Sequence, residues 1–562
     1  MSSHDVDFVV VGAGVGGLTA AIVAADAGLR VLVVERSELL GGVAGVSGGA
    51  VWVPLTRYGG ARPGDPADPG DPADPRDSRG EALAYLEFVA AGHGSTAHRE
   101  RFVDSGPDAM HYLADRAGVR WSLIREHVDN YHPWAPGSVP HCRFLEVEPI
   151  PGTELGEWQH RTQRCRFFPP GLTSTEMRVP ASAPVPIGRL IAERAAADAR
   201  ACGEGLMAYL IKAALIDRGI PVLTGTRADS LITEEGRVVG LRARAGGATD
   251  VVVHARRGVL LATGGYDWNP TGQQEGVPGF GSSCPPTVTG DHLVMAGEIG
   301  ATITVLPPIG LHTQLGYSIP GEEYAGAPLW RWALYEAGQR HSMLVNGAGR
   351  RFCDESWFFH EQSRLREFDP VTRRYPNLPA YLIFDQDHRD RTRFGPYLPG
   401  RDLPADPFHR ADSLDVLATQ LGIDPGTLAA TTKRFNDQCA AGRDDDFGRG
   451  DKDVVHFLYP SPDGGNPVLG PVARPPFYGV ELTAGGLGAN QAGLHTDTDG
   501  RVRHLRGHPI PGLYAAGNAA AHLDFGPSYI SGGLIARGIV WGYLAARHAA
   551  GVAGPVPEGH DA

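Results

Sequence analysis

Asp7-Phe-Val-Val-Val-Gly-Ala-Gly-Val-Gly-Gly17 is the stretch that decides the fold of this chain. Its first five residues read as a buried strand, and the glycines at 12, 14 and 17 mark a tight turn. Leu18 to Ala27, rich in alanine, reads as the helix that this turn opens, and Gly28 stops it. Leu29–Val34 then reads as a second strand, with Glu35 at its carboxyl end. A strand, a GxGxxG turn, a helix and a second strand ending in an acid ~20 residues on form a dinucleotide-binding βαβ unit. Gly12 permits the turn, Gly14 lets backbone N–H groups approach a pyrophosphate, and Gly17 allows close helix packing. Glu35 is suited to ribose hydroxyls.

The chain has 562 residues, of which 42% are hydrophobic and 20% charged, the composition of an ordinary globular protein. At ~100–200 residues per domain it predicts two to four domains. Net charge is −13, so nucleic acid is not an expected partner. The cysteines at 142, 165, 202, 284, 353 and 439 form no CxxC pair, which argues against a disulfide scaffold and a zinc ribbon and favours a reducing cytoplasm. No metal site is expected. The N-terminus lacks the pattern of a signal peptide, and no run of ~18 apolar residues predicts a membrane span.

Between Gly64 and Pro75 the hexapeptide GDPADP occurs twice, too proline-rich for a helix or interior strand, and reads as a surface loop. Helical periodicity returns from Gly80 to Arg120, a proline-rich irregular stretch covers 136–186, and Leu206–Arg218 reads as a helix before a strand at 221–225. Gly236–Gly240 lies near a hairpin turn, Val259–Gly265 reads as a strand ending in glycines, and Gly512–Asn518 repeats that pattern before a helix from about 533 to 549. A nucleotide-binding fold that opens at residue 7 thus closes after residue 510. The expected domains are 1–274 and 477–562 for the nucleotide-binding part, with 275–476 inserted; helices at 412–421 and 425–442 and a strand at 379–384 fill the insertion.

Together the GAGVGG turn with Glu35, Ser47–Pro54, Ala262–Tyr266, Val345–Phe352 and Gly512–Asn518 occur in the order seen in the fumarate reductase and 3-ketosteroid dehydrogenase flavoproteins, and the chain resembles that family. Asp129–Gly137, Phe447–Gly450 and Pro475–Tyr478 look like its ketosteroid dehydrogenase branch. The resemblance implies an α/β fold: a Rossmann-like FAD-binding domain of the glutathione reductase type, interrupted by an α+β capping or substrate domain. It implies FAD, held by Gly12, Gly14, Gly16, Gly17, Glu35, Arg36, Ser47, Gly48, Gly49, Ala262, Thr263, Gly264, Gly517 and Asn518. Relatives that bind flavin covalently use a histidine in the segment equivalent to Val43–Gly49; none is present here, so noncovalent FAD is expected.

The implied reaction is α,β-dehydrogenation of a cyclic, steroid-like or polycyclic ketone, with hydride passing to flavin N5 and a quinone or O2 as final electron acceptor. Hydrogen bonds to the carbonyl oxygen acidify the α-proton. The resemblance gives that task to Tyr529, to the Gly533 backbone N–H and to Ser531, with Tyr131 assisting. The departure is Phe359, which stands where Δ1-dehydrogenases carry a tyrosine base and fumarate reductases a proton-donating arginine. The expectation is that a histidine replaces it, His360 first and His312 second, because imidazole exchanges protons near neutrality. Trp52, Trp134, Trp357, Phe358 and Phe359 are candidate pocket aromatics. Two alternatives stay open: an enoate reductase of the fumarate type, and a flavoprotein with a non-redox isomerase or hydratase role.

Overall fold

Strand Ser2–Val11 runs into the turn at Gly12 and helix Val15–Asp26, and its last four residues are buried. In the computed structural model, residues 2–59, 77–178, 187–247, 249–269, 280–306, 311–461, 465–490 and 492–552 are described. The GDPADP duplication lies outside them. The chain divides into two units, Met1–Tyr266 with Thr287–Gly310 and Ala489–Ala562, and Asp267–Pro286 with Leu311–Gly488.

The first unit is built on an eight-stranded sheet. Five strands run parallel in the order 222–223, 31–34, 2–11, 249–261, 509–515, and the antiparallel strand 501–503 borders the last. Hairpin 226–234/237–245 attaches to strand 249–261 through an antiparallel pairing. Its turn, Glu235-Gly236, has positive φ at both residues (48° and 77°), the requirement of the tight hairpin that matches strand twist. Val9, Val11, Leu32, Val34, Val259, Leu261 and Leu513 form the core of this sheet.

Helix Val15–Asp26 packs closely on the closing helix, Gly533–Ala550. Small residues make the approach possible: a Cβ on Gly542 would stand 2.4 Å from the Gly16 carbonyl oxygen, and one on Gly16 would stand 3.1 Å from that of Gly538. Helices Arg79–Ala90 and Thr96–Ala117 begin at Ser78 and Ser95, whose side chains accept the N–H of Glu81 and His98. No described helix is long and apolar enough to cross a membrane.

The second unit is a seven-stranded sheet with strands in the order 327–332, 311–324, 477–490, 380–384, 342–346; strands 281–282 and 408–411 also pair with 477–490. Helices Leu414–Leu421 and Pro425–Ala441 start on Ser413 and Asp424 caps and end at Gly422 and Gly442, both left-handed.

The unit edges differ from those read in the sequence. From the sequence, the returning nucleotide-binding part is expected to open at 477, whereas strand Phe477–Asn490 lies in the interior of the second sheet, and the second unit runs to Gly488. Residues 287–310 belong to the first unit because Met295, Ala296 and Ala301 join its core and Ile303–Thr304 pairs with 493–494.

Candidate active site

Register fixes the cofactor edge. Val34, Val11, Leu261 and Ala515 are successive partners across the parallel strands, so Glu35, Gly12, Ala262 and Ala516 follow at one level of the sheet. The carboxyl ends of such strands, at the point where order reverses, are where open α/β sheets take ligands. Gly12 has φ +109°, and a Cβ there would stand 2.4 Å from the Ala262 carbonyl oxygen; on Gly17 it would stand 1.9 Å from that of Gly12. A Cβ on Gly14 would meet nothing within 4 Å, so this glycine keeps a cradle open at the helix start. Gly14 is the N-cap, without a side-chain cap and without an acid in the first turn, which leaves the amides to an anion. These features fit a pyrophosphate.

Glu35 Oε2 accepts the Ala13 N–H at 2.7 Å and Oε1 accepts that of Ser37 at 2.8 Å. Burial raises its pKa, and the backbone donors oppose the rise. Each oxygen retains a lone pair for a ribose hydroxyl. Arg36 reaches Thr289 Oγ1 and Asp291 Oδ2, which clips the returning segment beside this edge. Ser47 Oγ donates to the Ala44 carbonyl at 2.8 Å and accepts the Gly49 N–H at 3.2 Å. Gly48 lies against the Phe168 ring, and a Cβ on Gly49 would stand 2.2 Å from the Cys202 carbonyl carbon. Thr263 Oγ1 lies 2.9 Å from His292 Nδ1, and Gly264 and Gly517 have φ of +78° and +64°. Asn518 follows in a short turn, Gly517–Ala519.

A second cluster in this unit joins segments far apart in sequence. The Ser531 backbone N–H donates to Asn130 Oδ1 at 2.7 Å, and Asn130 Nδ2 donates to Ser531 Oγ at 3.2 Å. A backbone N–H only donates, so the amide oxygen must face it and the amide nitrogen must face the hydroxyl. Ser531 Oγ therefore accepts from Asn130, and its own proton is directed elsewhere. Asp129 anchors the same loop: its carboxylate accepts from Trp52 Nε1 at 2.7 Å, Arg143 at 2.7 Å and the Val139 N–H at 3.0 Å. Trp52 is thus core, packed among Tyr85, Phe102 and Phe525, and not a pocket wall. Tyr131 is hydrogen-bonded to the Ser528 side chain; burial lifts its phenol above the ordinary range, and Ser528 pulls the other way. Its ring lies 5.8 Å from Phe88 and 6.3 Å from Trp134, which are 41% and 45% exposed.

Tyr529 is half-buried beside this clasp in sequence, between Ser528 and Ser531. Gly533 starts the closing helix; a Cβ on it would stand 2.3 Å from the Phe525 ring, and its N–H donates to the Ile530 carbonyl at 3.0 Å. That amide is engaged in the turn. Asp524 braces the segment, accepting from Arg537 Nε at 2.6 Å and Trp541 Nε1 at 2.7 Å, all three residues being buried.

His312 and His360 belong to the second unit. His360 is on helix Phe358–Leu365; its Nδ1 accepts the Asp354 N–H at 3.2 Å, and Arg364 Nε lies 3.4 Å from Nε2. Burial first, and then Arg364 and Lys452 against the pull of Asp354, lower its pKa. His312 is 1% exposed, and burial with Arg366 beside it lowers its pKa to about 3. A ring held that low is a weak proton acceptor, which weighs against His312 as the base. Phe359 stacks on Phe358 at 4.3 Å, with Trp357 5.5 Å and His312 6.4 Å away. Sequence reasoning missed Asn130, Ser528, Asp524, Arg537 and Gln314. The only signal for Asn130 was its place inside the quoted Asp129–Gly137 motif.

Residues 7–533 match the FAD binding domain family. The chain is 30% identical over 600 residues to a 3-oxosteroid 1-dehydrogenase of Mycobacterium tuberculosis, covering 99% of this chain and 100% of that one. It is 31% identical over 569 residues to a 4-oxocyclohexanecarboxylate 2-dehydrogenase of Sinomonas cyclohexanicum, covering 98% and 94%. The crystal structure of a 3-ketosteroid Δ1-dehydrogenase from Sterolibacterium denitrificans, in complex with 1,4-androstadiene-3,17-dione, superposes with TM-score 0.87 at 28% identity, covering 98% and 100%. With the open cradle at Gly14, the carboxylate of Glu35 and these matches along nearly all its length, the chain belongs to the family of FAD-binding flavoproteins that includes the 3-ketosteroid dehydrogenases.

Proposed function

We propose that this chain is an FAD-dependent dehydrogenase that introduces a carbon–carbon double bond beside the carbonyl of a cyclic ketone, with a polycyclic, steroid-like ketone as its substrate. The observation that carries the site assignment is the Asn130–Ser531 clasp. Removing an α-proton loads negative charge on the carbonyl oxygen, and donors aimed at that oxygen lower the barrier. Asn130 occupies the acceptor side of Ser531 Oγ and thereby makes that hydroxyl a donor. Ser531 and Tyr529 are the two hydroxyl donors of this reading. With the Gly533 N–H engaged by Ile530, its part is to start the closing helix just after Ser531.

Tyr131 takes the α-proton as the phenolate, the anion that the Ser528 hydroxyl favours by donating to its oxygen. Bound FAD supplies the acceptor for the β-hydride, at flavin N5. Noncovalent attachment is supported by the absence of histidine from Val43–Gly49. A quinone or O2 completes the cycle. The six free cysteines support a cytoplasmic setting. Phe88 and Trp134, exposed beside Tyr131, support an apolar ring system as substrate.

The test is rapid anaerobic mixing of the yellow protein with a 3-ketosteroid and, separately, with 4-oxocyclohexanecarboxylate. The steroid should bleach the flavin and Tyr529→Phe should slow that step ~10²-fold with FAD content unchanged. Bleaching by the single-ring acid alone would overturn the substrate class, and a Tyr529→Phe protein with wild-type kinetics would remove Tyr529 from the chemistry.

A further inference from the structure

His312 sits in a chain of hydrogen bonds whose polarity is set from both ends. At one end is the indole N–H of Trp332, which can only donate; it meets Gln314 Oε1 at 3.3 Å. At the other is the Phe358 carbonyl, which can only accept; it lies 3.4 Å from Gln314 Nε2. Turning the amide over would face N–H to N–H and oxygen to oxygen. The orientation is therefore forced, and the second proton of Gln314 Nε2 points to His312 Nε2, 3.0 Å away. That nitrogen must offer its lone pair, so the proton of the neutral ring is on Nδ1. His312 and Gln314 are buried, and the rings of Phe358 and Phe359 stand edge-on to His312 at 6.2 and 6.4 Å.

We infer that Gln314 is a positioning residue that fixes His312 as a neutral imidazole protonated on Nδ1, so that the ring offers a proton at Nδ1 and has its Nε2 lone pair already engaged. The donor role rests on the dehydrogenase reading above; the tautomer does not. Protonating Nε2 would press a second donor against the Gln314 amide and create a buried cation. The charged and titratable groups around the ring agree. Arg366, fixed by its hydrogen bond to Thr313 Oγ1 at 3.1 Å, repels a cation. Glu361, facing the same strand from helix Phe358–Leu365, accepts the Leu315 N–H at 2.5 Å and is pushed by burial up to about 8, so it is largely neutral at pH 7. His360, on the same helix, is itself held below its ordinary value by burial.

The test uses holoenzyme labelled with 15N-histidine, with His312 assigned by the signal lost in His312→Asn. Long-range 1H–15N spectra should show the Nδ1–H tautomer, unchanged between about pH 5.5 and about 8.5. Gln314→Glu replaces the donor by an acceptor; it should move the proton to Nε2, bring an ionisation into that window, and slow flavin reduction ~10²-fold. Gln314→Met, similar in volume, should release the tautomer preference with FAD content retained. A wild-type ring protonated on Nε2, or one that titrates in the window, overturns the inference without need of any variant. Expected spectra with wild-type reduction kinetics in Gln314→Glu overturn the donor role. If no cyclic ketone reduces the wild-type flavin, the dehydrogenase reading fails and takes the donor role with it, whatever the spectra show.

Discussion

Asn130 and Ser531 hold each other by two hydrogen bonds of opposite sense, Ser531 N–H to Asn130 Oδ1 at 2.7 Å and Asn130 Nδ2 to Ser531 Oγ at 3.2 Å. The pair ties the Tyr131 loop to the segment that carries Tyr529 and fixes the direction of one hydroxyl proton. Asn130→Asp tests the second effect separately from the first. A carboxylate still accepts the Ser531 N–H but cannot donate to Oγ, so the hydroxyl turns back to donate to it. Flavin reduction should fall ~10- to 10²-fold with FAD content and folding intact. Asn130→Ala loses both bonds and should also destabilise by about 1–3 kcal/mol in denaturant titration.

Two glycines of the phosphate loop should fail in different ways. A side chain on Gly14 enters an open cradle, so Gly14→Val should give a folded, colourless apoprotein with wild-type far-UV circular dichroism. A Cβ on Gly17 would stand 1.9 Å from the Gly12 carbonyl oxygen, so even Gly17→Ala should lower the melting temperature. A yellow Gly14→Val protein would contradict the cradle.

Proton transfer by Tyr131 predicts an alkaline dependence. Its folded-state phenol lies above the ordinary ~10 because burial disfavours the phenolate. The rate of flavin reduction should therefore rise with pH through the range below ~10 without the plateau of an imidazole base. Ser528→Ala, which removes the hydrogen bond that favours the phenolate, should push the profile further up. Tyr131→Phe should cost ~10²–10⁴-fold. A bell or shoulder near ~6–7 would return the role to a histidine.

In the second unit, burial alone would raise the Glu355 pKa, but Arg351 at 2.8 Å and Arg449 at 3.4 Å overcome it and lower the value. A depressed folded-state pKa gives stability above the ordinary carboxylate range that is lost as pH falls through the folded value. Arg351→Met should cost about 3–5 kcal/mol, since Glu355 and Asp444 then lose a buried partner. It should also move the acid unfolding midpoint to higher pH.

The nucleotide edge was legible because glycines there answer backbone demands that local sequence displays: Gly12 and Gly17 have no room for a Cβ, and Gly14 needs its space empty. Edges of units were less so. Phe477–Asn490 is one continuous strand, and the change of unit falls inside it, at Gly488. Asn130 and Ser531 are 401 residues apart, and no local signal announces a pair formed only by the fold. The histidines show a different limit. Their chemistry was read from a need left by Phe359, while burial, which decides how readily a ring takes a proton, depends on packing that the sequence does not display.

The central claim, redox chemistry on a cyclic ketone, is tested most directly by a single anaerobic turnover with the flavin spectrum and the product followed together. One equivalent of 3-ketosteroid should bleach the flavin and yield a ketone lighter by two hydrogens, with a new double bond conjugated to the carbonyl. Flavin that stays oxidised while the ketone is recovered unchanged, isomerised or hydrated would contradict the account.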